Sequence, residues 1–221
     1  KHALSPDFVY STLPRPERRD LHRQVAEWIH EVARDRNVEA AELAAYHYGE
    51  ALGYGEDDPA VSKRAVESLL TASEAAFSRA DLEAARALVD RALEFADDDA
   101  RPMAQLALTR LEYAEGRFES VLKELEVIEA QLEPHDAELR SEVLAWRSRA
   151  CWLTGRWDES LASANAAVTA LDGLPESPQL ARALARLSQV EMLKHQVEAI
   201  AHAQEAIAVA RRVDDSFAEV K

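Results

Sequence analysis

A turn that recurs at nearly constant spacing constrains this chain more than any other feature. Two helical segments meet at Gly155 in the stretch LAWRSRACWLTGRWDESLASANAA, residues 144–167. Equivalent turns fall at Ala80, Gly116 and His195, in steps of 36, 39 and 40 residues. Glycine accepts the positive φ at which many helices end, and apolar residues recur at helical spacing on both sides of each turn. The chain is therefore predicted to be a series of antiparallel helix hairpins.

A second recurring feature has the same spacing as the turns. A small hydroxyl residue stands seven positions before each turn residue, at Ser73, Thr109, Ser148 and Ser188. Two independent registers that agree in four copies indicate a repeat rather than a chance periodicity. The helix pairs are predicted at 60–78 with 81–96, 101–115 with 118–132, 136–154 with 157–172, and 178–193 with 197–212.

The unit formed by a helix, the turn Gly155-Arg156-Trp157 and a second helix with small residues resembles the tetratricopeptide repeat. The resemblance implies an all-α fold, a right-handed superhelical array of antiparallel helix hairpins. In such a tetratricopeptide-like α-solenoid we expect about ten long helices. Because the spacing exceeds the usual period of about 34 residues, the helices or the connections between repeats should be longer than in the standard motif.

Proline and acidic residues divide the chain further. Residues 1–15 are expected to end a preceding, winged-helix-like segment, and 16–58 to form a first, atypical helix pair. Four tetratricopeptide-like repeats should occupy 59–215, and 216–221 should begin a further, truncated helix. The chain is thus expected to be a piece of a longer protein, with an apolar face at the C-terminal end of the array that is able to self-associate.

Local signals mark helix starts and buried faces. Asp58 before Pro59 and Ser177 before Pro178 each combine an N-cap residue with proline at the first helical position. In the first pair, Leu43, Tyr46, His47 and Ala51 are expected to face the preceding helix. The other predicted apolar stripes are Leu21, Val25, Trp28 (or Ile29) and Val32; Val121, Leu125, Ile128 and Leu132; Leu161, Ala164, Val168 and Leu171; and Ile200, Ala203, Ile207 and Ala210.

Charge and composition exclude several function classes. The formal net charge of −15 argues against binding of nucleic acid by this segment, because phosphate neutralisation needs clustered Lys and Arg. The sequence contains no run of 18 apolar residues, the length that would predict a membrane-spanning helix. The single cysteine, Cys151, excludes a disulfide framework within one chain and fits a reducing, cytoplasmic compartment.

No motif predicts catalysis, a cofactor or a metal site. His195 and His202 are seven residues apart, and His22 and His30 eight apart, neither of which is the i, i+4 spacing of a helical zinc pair. Cys151 is expected on the buried side of its helix as a structural thiol, since no partner base is identifiable. The sequence carries no GxxxxGK[ST], GxGxxG or GxSxG pattern. We therefore predict a protein that is not an enzyme and has no cofactor.

The first 52 residues resemble a specific junction. They match the region of signal-transducing ATPases with numerous domains (the STAND class) where a winged-helix segment meets tetratricopeptide repeats. The matching residues are His2-Ala3-Leu4, Val9-Tyr10, Leu13-Pro14, Arg18 or Arg19, Leu21-His22, Ala26, Trp28, Glu42-Leu43-Ala44, His47-Tyr48 and Ala51. The resemblance implies a parent related to bacterial ATPases with adenylate or guanylate cyclase domains, or to LuxR-type and maltose-activator-type transcription regulators. It departs from the family at Ser5-Pro6.

A groove lined by the first helix of each pair is the candidate functional surface. With the turn residue taken as position 15 of the repeat, positions 2, 5, 9 and 12 of the four first helices are expected to face this groove. The candidate partner-binding residues are Phe77, Arg110, Tyr113, Arg149, Trp152, Gln189 and Met192. Aromatic and Arg side chains are frequent anchors of binding hot spots. The alternative interpretation is that the rings pack within the array and that Arg110 and Arg149 pair with neighbouring Glu residues.

Three functions remain open on these grounds. The first is a non-catalytic protein-interaction or sensor module of a larger bacterial signalling or transcription-regulating ATPase, which binds a protein or peptide partner, an effector or its own parent chain in the groove. The second is a small-molecule receptor domain, which a closed apolar pocket would favour. The third is a structural or oligomerisation spacer.

Overall fold

A computed structural model describes residues 10–32 and 38–213. Within this part the chain forms helices and no strand. After a short helical stretch at 10–12, ten long helices follow. They are α1 Arg15–Val32, α2 Val38–Gly53, α3 Pro59–Ser78, α4 Leu82–Phe95, α5 Arg101–Ala114, α6 Phe118–Gln131, α7 Ala137–Leu153, α8 Trp157–Thr169, α9 Pro178–Leu193 and α10 Ala199–Arg212. The predicted departure at Ser5-Pro6 and the predicted helix at 216–221 lie outside the described residues.

The helices belong to two compact units whose boundary falls inside α5. The N-terminal unit ends at Leu111, and the C-terminal unit begins at Glu112. In the N-terminal unit α1 packs on α2, α2 on α3, and α3 on α4. In the C-terminal unit α7 pairs with α8 and α9 with α10, while α8 and α7 both contact α9. Each pair is an antiparallel hairpin of consecutive helices, as the sequence predicts.

The four predicted turns share one backbone geometry. The turn residues all have positive φ: 60° at Ala80, 82° at Gly116, 78° at Gly155 and 57° at His195. In each, the turn N–H donates to the carbonyl three residues back and the next N–H to the carbonyl five residues back, as in Gly155 N to Trp152 O at 3.2 Å and Arg156 N to Cys151 O at 2.8 Å. This is the Schellman motif, which satisfies the last carbonyls of a helix.

The predicted caps and the hydroxyl register are also confirmed. Asp58 accepts a hydrogen bond from Ala60 N, and Ser177 accepts one from Leu180 N. Ser73 Oγ donates across its hairpin to Ala85 O at 3.1 Å, and Ser188 Oγ to Ala199 O at 2.9 Å. Thr109 differs, because its hydroxyl bonds to Gln105 O within its own helix.

Two predicted stripes are wrong at most of their positions. In α1, Leu21, Val25, Trp28 and Val32 are 45, 37, 62 and 67% exposed. Ile29, the predicted alternative to Trp28, is buried together with His22 and Ala26. Apolar side chains occur in two adjacent stripes of this helix, and the buried stripe is the one whose histidine finds partners on α2. In α10, Ile200 is 69% and Ile207 37% exposed, whereas Ala210 of the predicted stripe is buried together with Ala206 and Val209.

The first pair is also packed differently on its second helix. Leu43 and Tyr46, expected to face α1, are each 49% exposed, whereas Ala44, Ala45 and Tyr48 are buried. The other two predicted residues fit the expectation, because Ala51 is buried and His47 contacts His22 of α1. The α6 stripe is confirmed, because Val121, Leu125, Ile128 and Leu132 are all buried. Cores of this kind depend on alanine, whose small side chain lets adjacent helices approach closely.

Candidate functional site

The candidate groove residues fall into both units. Phe77 and Arg110 lie in the N-terminal unit and the other five in the C-terminal unit. Phe77 is half-buried and packs against the cluster that contains Ala85 and Leu111. Arg110 pairs with Glu74 at 2.5 Å. Both contacts agree with the alternative interpretation, in which these side chains pack or form ion pairs within the array. That Phe77 and Arg110 bind a partner stays a prediction.

The aromatic candidates of the C-terminal unit are half-buried in ring contacts. The Tyr113 ring lies 5.2 Å from that of Trp146 and 5.3 Å from that of Phe118, both edge-on. Trp152 packs against the cluster that contains Leu187 and Val190. Both rings therefore pack against neighbouring side chains, and only part of each ring remains exposed.

Gln189 and Met192 are the most accessible candidates. Both side chains project from α9 and are exposed, Met192 to 59%. Leu193 beside Met192 is also 44% exposed. The C-terminal end of α9 thus presents an apolar side chain and an amide to solvent on the first helix of its hairpin.

Arg186 lies beneath Gln189 and was not among the sequence candidates. Its side chain is 95% buried, with 5% exposed. Its Nε donates to Ser148 Oγ and its Nη2 to Ser148 O, both at 2.9 Å, and Nη2 also approaches Ser160 Oγ at 3.4 Å. Its Nη1 donates to Gln189 Oε1 at 2.9 Å. A buried cation is thereby connected to the surface of the unit through an exposed amide.

A second guanidinium lies close by. Arg149 sits over the Trp146 ring, with its Cζ 5.2 Å from the ring centroid. Burial, together with the positive charge of Arg149, lowers the pKa of Arg186 to about 10, and Tyr113 acts in the opposite direction. Tyr113, Trp146, Arg149, Arg186 and Gln189 therefore form one assembly, which we call the Arg186 cluster. The cluster combines guanidinium and amide donors with aromatic ring faces.

Sequence reasoning missed Arg186 and Trp146 because the repeat positions place them beside the groove rather than in it. A signal for Arg186 was nonetheless present. It lies three residues after Ala183 and four before Val190, which puts a charge in the middle of the apolar face of α9. A charged residue on such a face indicates either a buried polar network or a site.

The N-terminal unit holds a second polar cluster. His22 Nδ1 lies 2.9 Å from His47 Nδ1, and His22 Nε2 lies 2.7 Å from Tyr10 Oη. Tyr10 Oη in turn donates to Tyr54 Oη at 3.2 Å, and the Arg18 guanidinium stands over the Tyr10 ring at 5.0 Å. The two histidines therefore pack and hydrogen-bond at the junction of α1 and α2.

The remaining ionisable residues of interest are buried or paired with neighbouring side chains. Cys151 is fully buried, and burial raises the pKa of its thiol, as expected for a structural cysteine. His202 Nδ1 lies 2.7 Å from Glu191 Oε2. Among the residues that the structure describes, no group of three His, Cys, Asp or Glu side chains is placed to hold a metal ion. Over the same residues, every helix is too short or too polar to cross a bilayer.

Comparison with known proteins identifies the fold. The sequence matches no protein-family model, and no curated protein matches it. Solved structures do match: a Rap protein complexed with Competence and Sporulation Factor aligns over 96% of this chain at 14% identity, with a TM-score of 0.66. The chain spans 59% of the length of that protein.

Two further structures are similar at the same level. PlcR of Bacillus thuringiensis, in complex with the peptide PapR7 and DNA, aligns over 87% of this chain and 70% of its own at 16% identity, with a TM-score of 0.60. The TPR-like repeats of a putative kinesin light chain of Podosopora anserina align over 92% of this chain and all of their own at 17% identity, with a TM-score of 0.56. The predicted fold class is thereby confirmed: the chain is an all-α, tetratricopeptide-like helical-repeat protein.

Proposed function

We propose that the chain is a non-catalytic interaction module that binds a peptide or an extended protein segment on the first helices of its C-terminal unit. The observation that carries the proposal is the Arg186 cluster, in which Arg186 donates to exposed Gln189. Met192 is exposed on the same helix, whose Leu187 and Val190 belong to the cluster against which the half-buried Trp152 packs. The exposed amide can hydrogen-bond to the backbone of a peptide, and the rings and methionine supply apolar contact.

The structural neighbours favour a peptide over other ligands. Of the three described above, the Rap protein was solved with Competence and Sporulation Factor, and PlcR with the peptide PapR7 and DNA. Their identities to this chain are 14 and 16%, so they support the class of ligand and give no residue correspondence. The resemblance at residues 1–52 extends the proposal to the parent protein. We place this module in a cytoplasmic bacterial STAND-class ATPase that signals or regulates transcription, where partner binding would bias the state of the whole protein.

The experiment is a selection of random displayed heptapeptides on the immobilised chain, followed by titration of the selected peptides in solution. Met192→Ser removes an exposed apolar contact without disturbing the core. Loss of one such contact should weaken binding about tenfold, equivalent to about 1.4 kcal/mol. Val127→Ser is the matched control, because Val127 is 49% exposed on α6 of the same unit. Recovery of no specific peptide, or equal weakening by both variants, would reject the proposal.

One observation favours self-association as a second function. At the last described hairpin, Val197 is 83%, Ile200 69% and Ile207 37% exposed. Such a group of large apolar side chains is typical of a surface that is covered in the assembled protein. Sedimentation velocity over a hundredfold concentration range tests this. Ile200→Asp should shift any dimer to monomer, and a wild-type chain that stays monomeric throughout argues against the function.

A further inference from the structure

The exposed apolar side chains of the N-terminal unit are concentrated on its first two helices. Among the described residues up to 111, the large apolar side chains that are exposed lie at Tyr10 and on α1 and α2, and no exposed one lies on α3, α4 or residues 101–111. The six on the two helices, which we call the α1–α2 face, are Leu21, Val25, Trp28, Val32, Leu43 and Tyr46. Such a concentration on one part of a folded unit is typical of a surface that binds another molecule.

The four apolar residues on α1 have the spacing by which one helix packs against another. Leu21, Val25, Trp28 and Val32 follow one another at intervals of four, three and four residues. This alternation is that of the a and d positions of a heptad, and it aligns the side chains along one side of the helix. We call these four residues the α1 seam. The spacing favours a second helix as the occupant of the seam.

α2 widens the α1 seam into a face formed by two helices. The Tyr46 ring lies 6.1 Å from the ring of His22, which is three residues before Val25 on α1. Leu43 precedes Tyr46 by three residues and therefore lies on the same side of α2. Apolar contacts are thus available from two adjacent helices, as in the grooves that receive the apolar side of an amphipathic helix.

The polar residues next to the α1 seam are acidic or neutral. Glu17, Gln24 and Glu31 recur at intervals of seven residues along the line beside the seam, and all three are exposed. Residues that flank the apolar positions of a heptad meet the flanking residues of the partner helix and select it by charge. The occupant should therefore carry Lys or Arg next to its apolar side.

The arginines of α1 leave this acidic line in place because all four bond elsewhere. Arg15 and Arg18 donate to backbone carbonyls at 3.3 and 2.9 Å. Arg19 and Arg23 have their Nε atoms 4.0 and 3.5 Å from Glu56 Oε2. A second copy of the chain would fit the face less well, since antiparallel pairing of two α1 helices sets the acidic line against itself.

We propose that the α1–α2 face binds a basic amphipathic helix of a partner protein. The apolar side chains of that helix lie along the α1 seam and against Leu43 and Tyr46, and its Lys or Arg side chains pair with Glu17 and Glu31. The net charge of −15 on the chain attracts such a helix before contact. Because this face belongs to the N-terminal unit, the inference does not depend on the peptide site proposed for the C-terminal unit.

Three labelled peptides, each of three heptads, test the inference on the full chain. The first has leucine at both apolar positions of the heptad and lysine at the flanking positions. The second has glutamate in place of each lysine, and the third is the first peptide with its order scrambled so that no apolar side forms on a helix. Fluorescence anisotropy at low and at high salt gives the dissociation constants. Circular dichroism verifies that each protein variant is folded.

Two variants of the α1 seam are compared with a matched control. Val25→Asp places a charge in the seam, and Trp28→Ser removes an exposed apolar contact without adding a charge. Val127→Asp is the control, because Val127 is a valine that is 49% exposed on α6, outside this unit.

The acidic line is tested in the same way. The double variant Glu17→Gln with Glu31→Gln removes two negative charges beside the seam. The double variant Glu124→Gln with Glu133→Gln removes the same charge from two exposed positions of the C-terminal unit and is its control.

The wild-type chain should bind the lysine peptide at least about tenfold more tightly than either other peptide, and salt should weaken this binding. Val25→Asp and Trp28→Ser should each weaken it about tenfold, whereas Val127→Asp should leave it unchanged. Loss of Glu17 and Glu31 should reduce the preference for lysine over glutamate more than the control double variant does.

Equal binding of the three peptides, or equal weakening by Val25→Asp and Val127→Asp, would overturn the inference. A wild-type dimer that Val25→Asp dissociates in sedimentation velocity would also overturn it, because a second copy would then cover the face. Either result leaves the heptapeptide selection on the C-terminal unit unaffected, so the two proposals can fail separately.

Discussion

Arg186 in α9 donates two hydrogen bonds to a single residue of α7, from Nε to Ser148 Oγ and from Nη2 to Ser148 O, each at 2.9 Å. The serine has a further partner. Ser160 Oγ donates to Ser148 O at 2.8 Å, and the two hydroxyl oxygens are 3.2 Å apart. Removal of the guanidinium would therefore leave Ser148 hydrogen-bonded to Ser160, and no new buried group would lose its last partner.

From this we expect Arg186→Met to change the free energy of unfolding by less than about 1 kcal/mol, because methionine replaces the aliphatic stem and abolishes the cost of the buried charge. Arg186→Ala should instead cost about 2–4 kcal/mol, since it also leaves a cavity between α7, α8 and α9. Urea denaturation followed by circular dichroism measures both. Equal destabilisation by the two variants would show that the charge itself stabilises the unit.

The accepting oxygen of Gln189 leads to a second prediction. In Gln189→Glu a carboxylate stands about where Oε1 now accepts from Arg186 Nη1 at 2.9 Å. The resulting half-exposed ion pair should raise the free energy of unfolding at pH 7 by about 0.5–1 kcal/mol. Gln204→Glu, at an exposed site in the middle of α10, is the control and should bring no comparable gain.

The added stability of Gln189→Glu should decrease at low pH. Pairing with Arg186 would hold the pKa of the new carboxyl below its unfolded value of about 4.3. The extra stability is then fully present above that value and is lost as the pH falls through the folded pKa. Denaturation at pH 7 and at pH 3 compares the two conditions, and a gain that persists at pH 3 would contradict an ionic origin.

The four turns provide a third prediction, because glycine occupies two of them and a residue with a Cβ atom the other two. Non-glycine residues at positive φ carry a strain of about 1–2 kcal/mol, part of which is offset by the greater entropy of glycine in the unfolded chain. His195→Gly, at φ 57°, should therefore stabilise the chain by about 0.5–1 kcal/mol. The reverse change, Gly155→Ala, at φ 78°, should destabilise it by about 1 kcal/mol.

The Gly155 substitution isolates the backbone contribution. A Cβ atom built on Gly155 meets no other atom within 4 Å, so steric overlap does not enter. Thermal unfolding of both variants, followed by the helical circular dichroism signal, gives the comparison. No stabilisation by glycine at position 195, or tolerance of alanine at 155, would contradict the assignment of strain to these turns.

The helix hairpins could be predicted from the sequence alone because each repeat contains the residues that begin and end its helices. Asp58, Ser177 and the turn residues act locally, through hydrogen bonds to their own helices, and such signals survive without knowledge of the tertiary structure. The buried face of α6 could also be predicted from the sequence, because neighbouring helices bury the apolar stripe that periodicity indicates.

The buried faces of α1 and α10 could be identified only from the structure. The same holds for the Arg186 cluster. In α1 the stripe through Leu21 and the stripe through His22 differ by one residue, and a hydrogen bond to His47 on another helix marks the buried one. The partners of Arg186 come from three helices, and Ser148 is 38 residues away in the chain. Periodicity measures which residues share a face, and it contains no information about which polar groups on two helices will meet.

The pair His22 and His47 predicts how stability depends on pH. Their Nδ1 atoms are 2.9 Å apart, a contact that needs one donor and one acceptor, so it does not form between two protonated rings. Burial lowers the pKa of both imidazoles, and the charge of His22 lowers that of His47 further, while Glu50 acts in the opposite direction. The unfolded chain therefore binds protons at a higher pH, near 6.5, than the folded chain does.

Because the unfolded state then binds more protons, the free energy of unfolding should fall as the pH is lowered from about 7.5 through 6.5 to 5.5, by about 1 kcal/mol. His47→Gln keeps an amide oxygen and an N–H at the contact but does not titrate, so it should remove a large part of this fall. His135→Gln is the control, since His135 is 82% exposed, and it should leave the dependence intact. Both variants and the wild type are compared by urea denaturation at the three pH values. An unchanged slope in His47→Gln would mean that the histidine pair is not what couples protons to folding, whereas a flattened slope would locate the coupling at the junction of α1 and α2.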